Sequence, residues 1–101
     1  MKNSKPNKPS PTSGRKRIYF HLKTDPGSEV FINGSFNDWN RKAKKMVDRD
    51  KNGDYGITLF LIPGRHEYKF ITNGEWHVDP ECPDWVVNDC GTLNSFITVD
   101  G

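Results

Sequence analysis

The residues in this chain best equipped for chemistry are its tryptophans, Trp39, Trp76 and Trp85, a high number for 101 residues. An indole presents a flat apolar surface with a negative π face. The C–H side of a pyranose ring is flat, apolar and slightly positive, so the two stack. Lysine and asparagine side chains can then hydrogen-bond the ring hydroxyls. Acid–base catalysis on a sugar would need a positioned pair of carboxylates. Most acidic residues here fall in turns (Asp25, Asp38, Asp48, Asp50, Asp54, Asp79, Asp84, Asp89). A chain this short has little room for a deep, water-excluding cleft. Neither a nucleophile elbow nor a Gly-rich phosphate loop is present. The expected activity is therefore binding, with no catalytic residue.

The element that positions the central tryptophan is legible. Glu67 to Trp76 alternates apolar and polar residues and contains Asn73-Gly74, a strong hairpin signal. A two-residue turn there sets Thr72 opposite Glu75 and Ile71 opposite Trp76. Directly opposed residues share a face, as do residues two apart on one strand. Lys69, Ile71 and Trp76 then share the face toward water, and Tyr68 and Phe70 share the core side. An indole beside a lysine on the outer face suggests a binding surface. The alternative is a cross-strand aromatic that only braces the sheet, and the residues alone leave both open.

The rest of the chain reads as short strands between turns. Residues Met1 to Gly14 lack any apolar residue after Met1 and are expected to be a disordered tail, with the folded module over residues 15–101. Arg15 to Thr24 places Ile18, Phe20 and Leu22 inward. Asp25-Pro26-Gly27 turns the chain into Glu29 to Asn33, with Val30 and Ile32 inward. Gly34 to Asn40 is a loop carrying Phe36 and Trp39, where Trp39 is either a lid over the core or a contact residue. Ala43 to Asp48 is a weak strand around Met46 and Val47. Asp48 to Asp54 imitates the start of a calcium loop. Leu59 stands where the closing glutamate belongs, so Asn52-Gly53 reads as a hairpin turn. Tyr55 to Ile62 is a strand with Tyr55, Ile57, Leu59 and Leu61 inward. Glu81 to Gly91 is expected as an irregular loop. Thr92 to Asp100 closes the domain, with Asn94 outward. This pattern predicts an all-β, immunoglobulin-like sandwich of about seven to eight short antiparallel strands.

Bulk properties remove several other classes. The net charge is +2 and much of the positive charge lies in the N-terminal tail, so no basic stripe marks a nucleic-acid binder. No apolar run reaches membrane-span length. Cys82 and Cys90 form no Cys-x-x-Cys pair and read as reduced thiols in a cytoplasmic protein. Two cysteines and three scattered histidines offer no metal site, and no cofactor is implied.

Four motifs add a family resemblance over about Arg15 to Asp100. Gly34-Ser35-Phe36-Asn37-Asp38-Trp39 resembles the opening "GSFNxW" of the family 48 carbohydrate-binding modules. Pro63-Gly64-Arg65-His66-Glu67-Tyr68-Lys69-Phe70 resembles the middle of that family, together with Asn73-Gly74-Glu75-Trp76 and Asp79-Pro80. Asn88 to Ser95 resembles its closing motif. The family includes the glycogen-binding domain of the AMP-activated protein kinase β subunit and the N-terminal domains of isoamylases and branching enzymes. The resemblance implies an immunoglobulin-like sandwich that binds α-1,4-glucans such as glycogen, starch or maltooligosaccharides. Two stacking tryptophans of the kinase-type modules fall on Trp39 and Trp76, the motif lysine on Lys69, the asparagine on Asn94 and the threonine on Thr92. Kinase-type modules carry a leucine before the Gly-Thr pair. Cys90 stands there, a smaller and less apolar side chain. Trp85, in a loop about one residue longer than the family's, is expected to plug the sandwich edge rather than extend the site.

The competing reading is a regulatory or protein-interaction domain that docks onto a glucan-metabolising enzyme or a kinase. Its expected mark is an apolar patch away from the sugar face, around Tyr19, Phe31 and Phe96. Both readings describe a monomer that contacts neither nucleic acid nor membrane, and both can hold together.

Overall fold

The computed structural model describes residues 14–40 and 44–101. The tail expected over residues 1–14 lies outside these apart from Gly14, as does Ala43 at the start of the expected weak strand. Among the described residues seven strands, all antiparallel, make two sheets. β1 (Lys16–Lys23) and β3 (Asp54–Leu61) form the smaller sheet. The larger holds β2 (Val30–Gly34), β4 (Gly64–Thr72), β7 (Leu93–Val99) and β6 (Trp85–Val87) in that order, and β5 (Glu75–His77) also pairs with β4. Alternation along these strands delivers Phe20 and Leu22, Val30 and Ile32, Leu59 and Leu61, and Tyr68 and Phe70 to one buried core. The sheets meet ring to ring. Phe20 of β1 lies edge-on to Tyr68 of β4 at 4.9 Å between centroids, an arrangement that suits the quadrupoles of aromatic rings. The Tyr68 hydroxyl donates to Asp79 Oδ2 at 2.7 Å. Burial and that carboxylate push the phenol far above its ordinary pKa, so it stays a donor.

β4 organises the larger sheet. One of its edges pairs with β2 from Tyr68 to Thr72. The other pairs first with β7, Gly64 to Tyr68, and then with β5, Phe70 to Thr72. Lys69 sits at the changeover between the two partners. The hairpin register is the expected one, Thr72 opposite Glu75 and Ile71 opposite Trp76. Asn73 (φ 50°) and Gly74 (φ 88°) both take the left-handed backbone that a two-residue hairpin turn requires. Asn73 also joins the turn to the start of β2, its amide nitrogen donating to Glu29 O and its Oδ1 accepting from Glu29 N.

Several details differ from the sequence reading. Ile71 lies on the outer face yet is buried, because Phe31 opposes it on β2 and Trp76 opposes it on β5. The segment around Met46 and Val47 makes only single bridges, Lys45 to Phe31 and Val47 to Gly56, although Met46 is buried in the core. The Asp48–Asp54 turn is wider than a two-residue hairpin: Lys51 and Gly53 take positive φ, and Asp48 accepts from the Asn52 and Gly53 amides. The stretch 81–91 is not wholly irregular, since β6 lies within it.

Candidate functional site

The loop after β2 is shaped by its own side chains. Gly34 passes so close to the Glu67 carbonyl and the Phe36 ring that a Cβ would strike both. Ser35 Oγ accepts from the Glu67 amide at 3.2 Å. Phe36 packs toward the core, and Asn37 Oδ1 accepts from the Gly34 amide at 3.0 Å. Asp38 (φ 55°) and Trp39 (φ 59°) then reverse the chain in the left-handed region. Side chains other than glycine take this conformation at a cost of roughly 1–2 kcal/mol. Trp39 is thereby delivered to the outer face of the larger sheet, where it is 37% exposed, alongside Trp76 at 41%.

The second wall is the loop joining β6 to β7, and Asn88 ties it together. Its Oδ1 accepts from the Cys90 and Thr92 amides at 2.9 and 3.1 Å. Its Nδ2 donates to Thr92 Oγ1 at 2.8 Å and Asn94 Oδ1 at 3.0 Å. Gly91 (φ 82°) supplies the positive φ that the bend requires. Lys69 reaches up from β4 and donates to the same Thr92 oxygen at 2.9 Å.

Between these walls lies a groove of about 540 Å³ lined by Trp39, Trp76, Lys69, Asn94, Thr92 and Cys90. All six residues singled out in the sequence therefore meet in one place. Glu67, Val87, Asn88 and Asp89 line it too, and the sequence alone did not assign them. Alternation puts Glu67 on the same face as Lys69, which was the available signal. Asn94 was expected to point outward. It does face this side but is only 5% exposed and forms the floor, donating to Glu67 Oε1 at 3.0 Å and accepting from Asn88. Cys90 is exposed at the lip, and both cysteines are free thiols.

Trp85 does not extend the groove. It opposes Ser95 on the core side of edge strand β6, remains 56% exposed and does not line the groove. The proposed patch of Tyr19, Phe31 and Phe96 is not one surface. Phe31 and Phe96 belong to the larger sheet, where Phe96 carries the Arg65 guanidinium 3.9 Å above its ring. Tyr19 lies on the smaller sheet, folded across Gly56, where a Cβ would strike its ring. Among the described residues no helix is long and apolar enough to cross a membrane, and no group of three or more histidine, cysteine, aspartate or glutamate side chains could hold a metal ion.

Comparison with known proteins agrees with this geometry. The family model for the glycogen recognition site of AMP-activated protein kinase matches residues 18–101. The chain is 40% identical over 76 residues to mouse 5'-AMP-activated protein kinase subunit beta-2, covering 75% of this chain and 27% of that protein. It is 36% identical over 83 residues to rice Protein FLOURY ENDOSPERM 6, chloroplastic, covering 82% of this chain and 15% of that protein. It is 38% identical over 72 residues to Arabidopsis Protein PTST homolog 2, chloroplastic, covering 71% of this chain and 13% of that protein. The chain thus spans less than a third of each of these relatives. By fold, groove and matched sequence, it belongs to the family 48 carbohydrate-binding modules of the AMP-activated protein kinase glycogen-recognition type.

Proposed function

We propose that this chain is a non-catalytic module that binds α-1,4-linked glucans, with Trp39 and Trp76 stacking on the sugar rings. The observation that carries this reading is the meeting of two half-exposed indoles, one from the loop after β2 and one from strand β5, in a groove floored by hydrogen-bonding side chains. Lys69 supplies N–H donors, and Cys90 sits where the family's leucine would touch the sugar. A shallow, open groove of this kind gives weak binding, on the order of micromolar to millimolar. Long glucans would then be held through several contacts at once.

Trp76→Ala is expected to remove most maltoheptaose binding, measured by calorimetry, while leaving the thermal unfolding curve nearly unchanged. A variant that binds as tightly as the wild type would contradict the assignment. The kinase-subunit relatives support a second, compatible role in docking onto an enzyme. The exposed Tyr19 and Val47 on the smaller sheet offer apolar surface away from the groove for it.

A further inference from the structure

A sugar hydroxyl that donates its proton needs an acceptor, and the groove's amides are already committed. Asn94, the position of the family's motif asparagine, is buried, and its Oδ1 takes the Asn88 amide. Asn88 Oδ1 takes the Cys90 and Thr92 amides, and Thr92 Oγ1 takes both Lys69 and Asn88. An amide or hydroxyl oxygen has two lone pairs, so two of these three oxygens are filled. Asp89 also lines the groove, from the exposed loop between β6 and β7, whereas the carboxylate of Glu67 stands on β4 beside Lys69 and Asn94. It is acceptor-only, with about four lone-pair sites on its two oxygens. Oε1 takes Asn94 Nδ2 at 3.0 Å, and Oε2 has only Arg65 at 3.8 Å, a guanidinium held over Phe96. The side chain is 36% exposed and lines the groove beside Lys69 and Asn94.

We infer that Glu67 is a direct acceptor for glucan hydroxyls. It orients Asn94 with one oxygen and receives sugar O–H protons with its remaining capacity, while Lys69 donates from the adjacent position on β4. This inference rests on the glucan-binding reading and adds a ligand-contacting residue to it. A charged acceptor is stronger than a neutral one, and it cannot be replaced in kind by its amide isostere. Glu67→Gln can still accept from Asn94 but then presents N–H donors where the sugar needs an acceptor.

The test is calorimetric titration of the whole chain, wild type and Glu67→Gln, with maltotetraose and its 2-deoxy and 3-deoxy analogues. Glu67→Gln is expected to weaken maltotetraose binding by roughly tenfold, the order of one hydrogen bond to a charged group. One deoxy analogue should bind the wild type correspondingly weakly yet bind Glu67→Gln no worse than maltotetraose does, since the same contact is already gone. A residue that served only to brace Asn94 would weaken all three sugars alike. Equal losses, or an unchanged affinity in a Glu67→Gln variant whose Trp76→Ala counterpart has lost binding, would overturn the inference and leave the glucan reading standing. A wild-type chain that binds no α-glucan would overturn both.

Discussion

Trp39 occupies a backbone conformation, φ 59°, that suits glycine and penalises a tryptophan. Strain of this kind persists where the surroundings hold it, and it collects at functional sites. Here Asn37, the Gly34 amide and the Trp39 amide bond to Gly34 O hold the turn. Stability and binding therefore separate at this one position. Trp39→Gly is expected to be more stable than Trp39→Ala by about 1 kcal/mol, because only glycine relieves the positive φ. Both variants should lose maltoheptaose binding. Chemical denaturation of the two variants checks the first point and calorimetry the second. The presence of Trp39 in a loop was legible in the sequence, but its destination beside Trp76 came from the family resemblance and not from the local residues. That destination depends on Gly34 meeting the Glu67 carbonyl and on Ser35 meeting the Glu67 amide, contacts between positions 32 or more residues apart. Glu67 itself was visible only as a polar residue in an alternating strand, since nothing local reveals that Asn88 and Thr92 are already engaged by their neighbours.

At the scale of elements, the β4–β5 hairpin and the β6–β7 loop set the site, and they differ in how much the sequence disclosed. The hairpin was readable to its register, because Asn73-Gly74 fixes the turn and period-two alternation fixes the faces. β6 was not readable. Three residues, Trp85–Val87, carry too little alternation to distinguish a strand from a loop, and the pairing with Leu93 to Ser95 supplies what the segment lacks. The Asn88 side chain makes four of the hydrogen bonds that hold the loop beyond β6. Asn88→Ala removes bonds to the Cys90 and Thr92 amides, to Thr92 Oγ1 and to Asn94 Oδ1. A loss of about 1–3 kcal/mol is expected where such partners are left unsatisfied. Hydrogen exchange should quicken at the Cys90 and Thr92 amides. Exchange in β1 and β3 should change only as global stability does, because those strands share no hydrogen bond with this loop.

At the scale of the whole molecule, the sandwich separates support from recognition. The core joins the two sheets through Phe20, Tyr68 and Phe70, while the groove lies entirely on the outer face of the larger sheet. That separation predicts that the groove can be altered without unfolding the domain. It also leaves the outer face of β1 and β3, with Tyr19 exposed, available to another partner. The central claim is that this outer groove recognises α-1,4-glucans, and an NMR titration of the isotope-labelled chain tests it most directly. Maltoheptaose is the ligand and cellohexaose, with β linkages, is the control. Saturable shifts are expected with maltoheptaose alone, centred on the Trp39 and Trp76 indole signals and on Lys69, Glu67 and Asn94. Equal shifts with both sugars, shifts centred away from the groove, or none with maltoheptaose would contradict it.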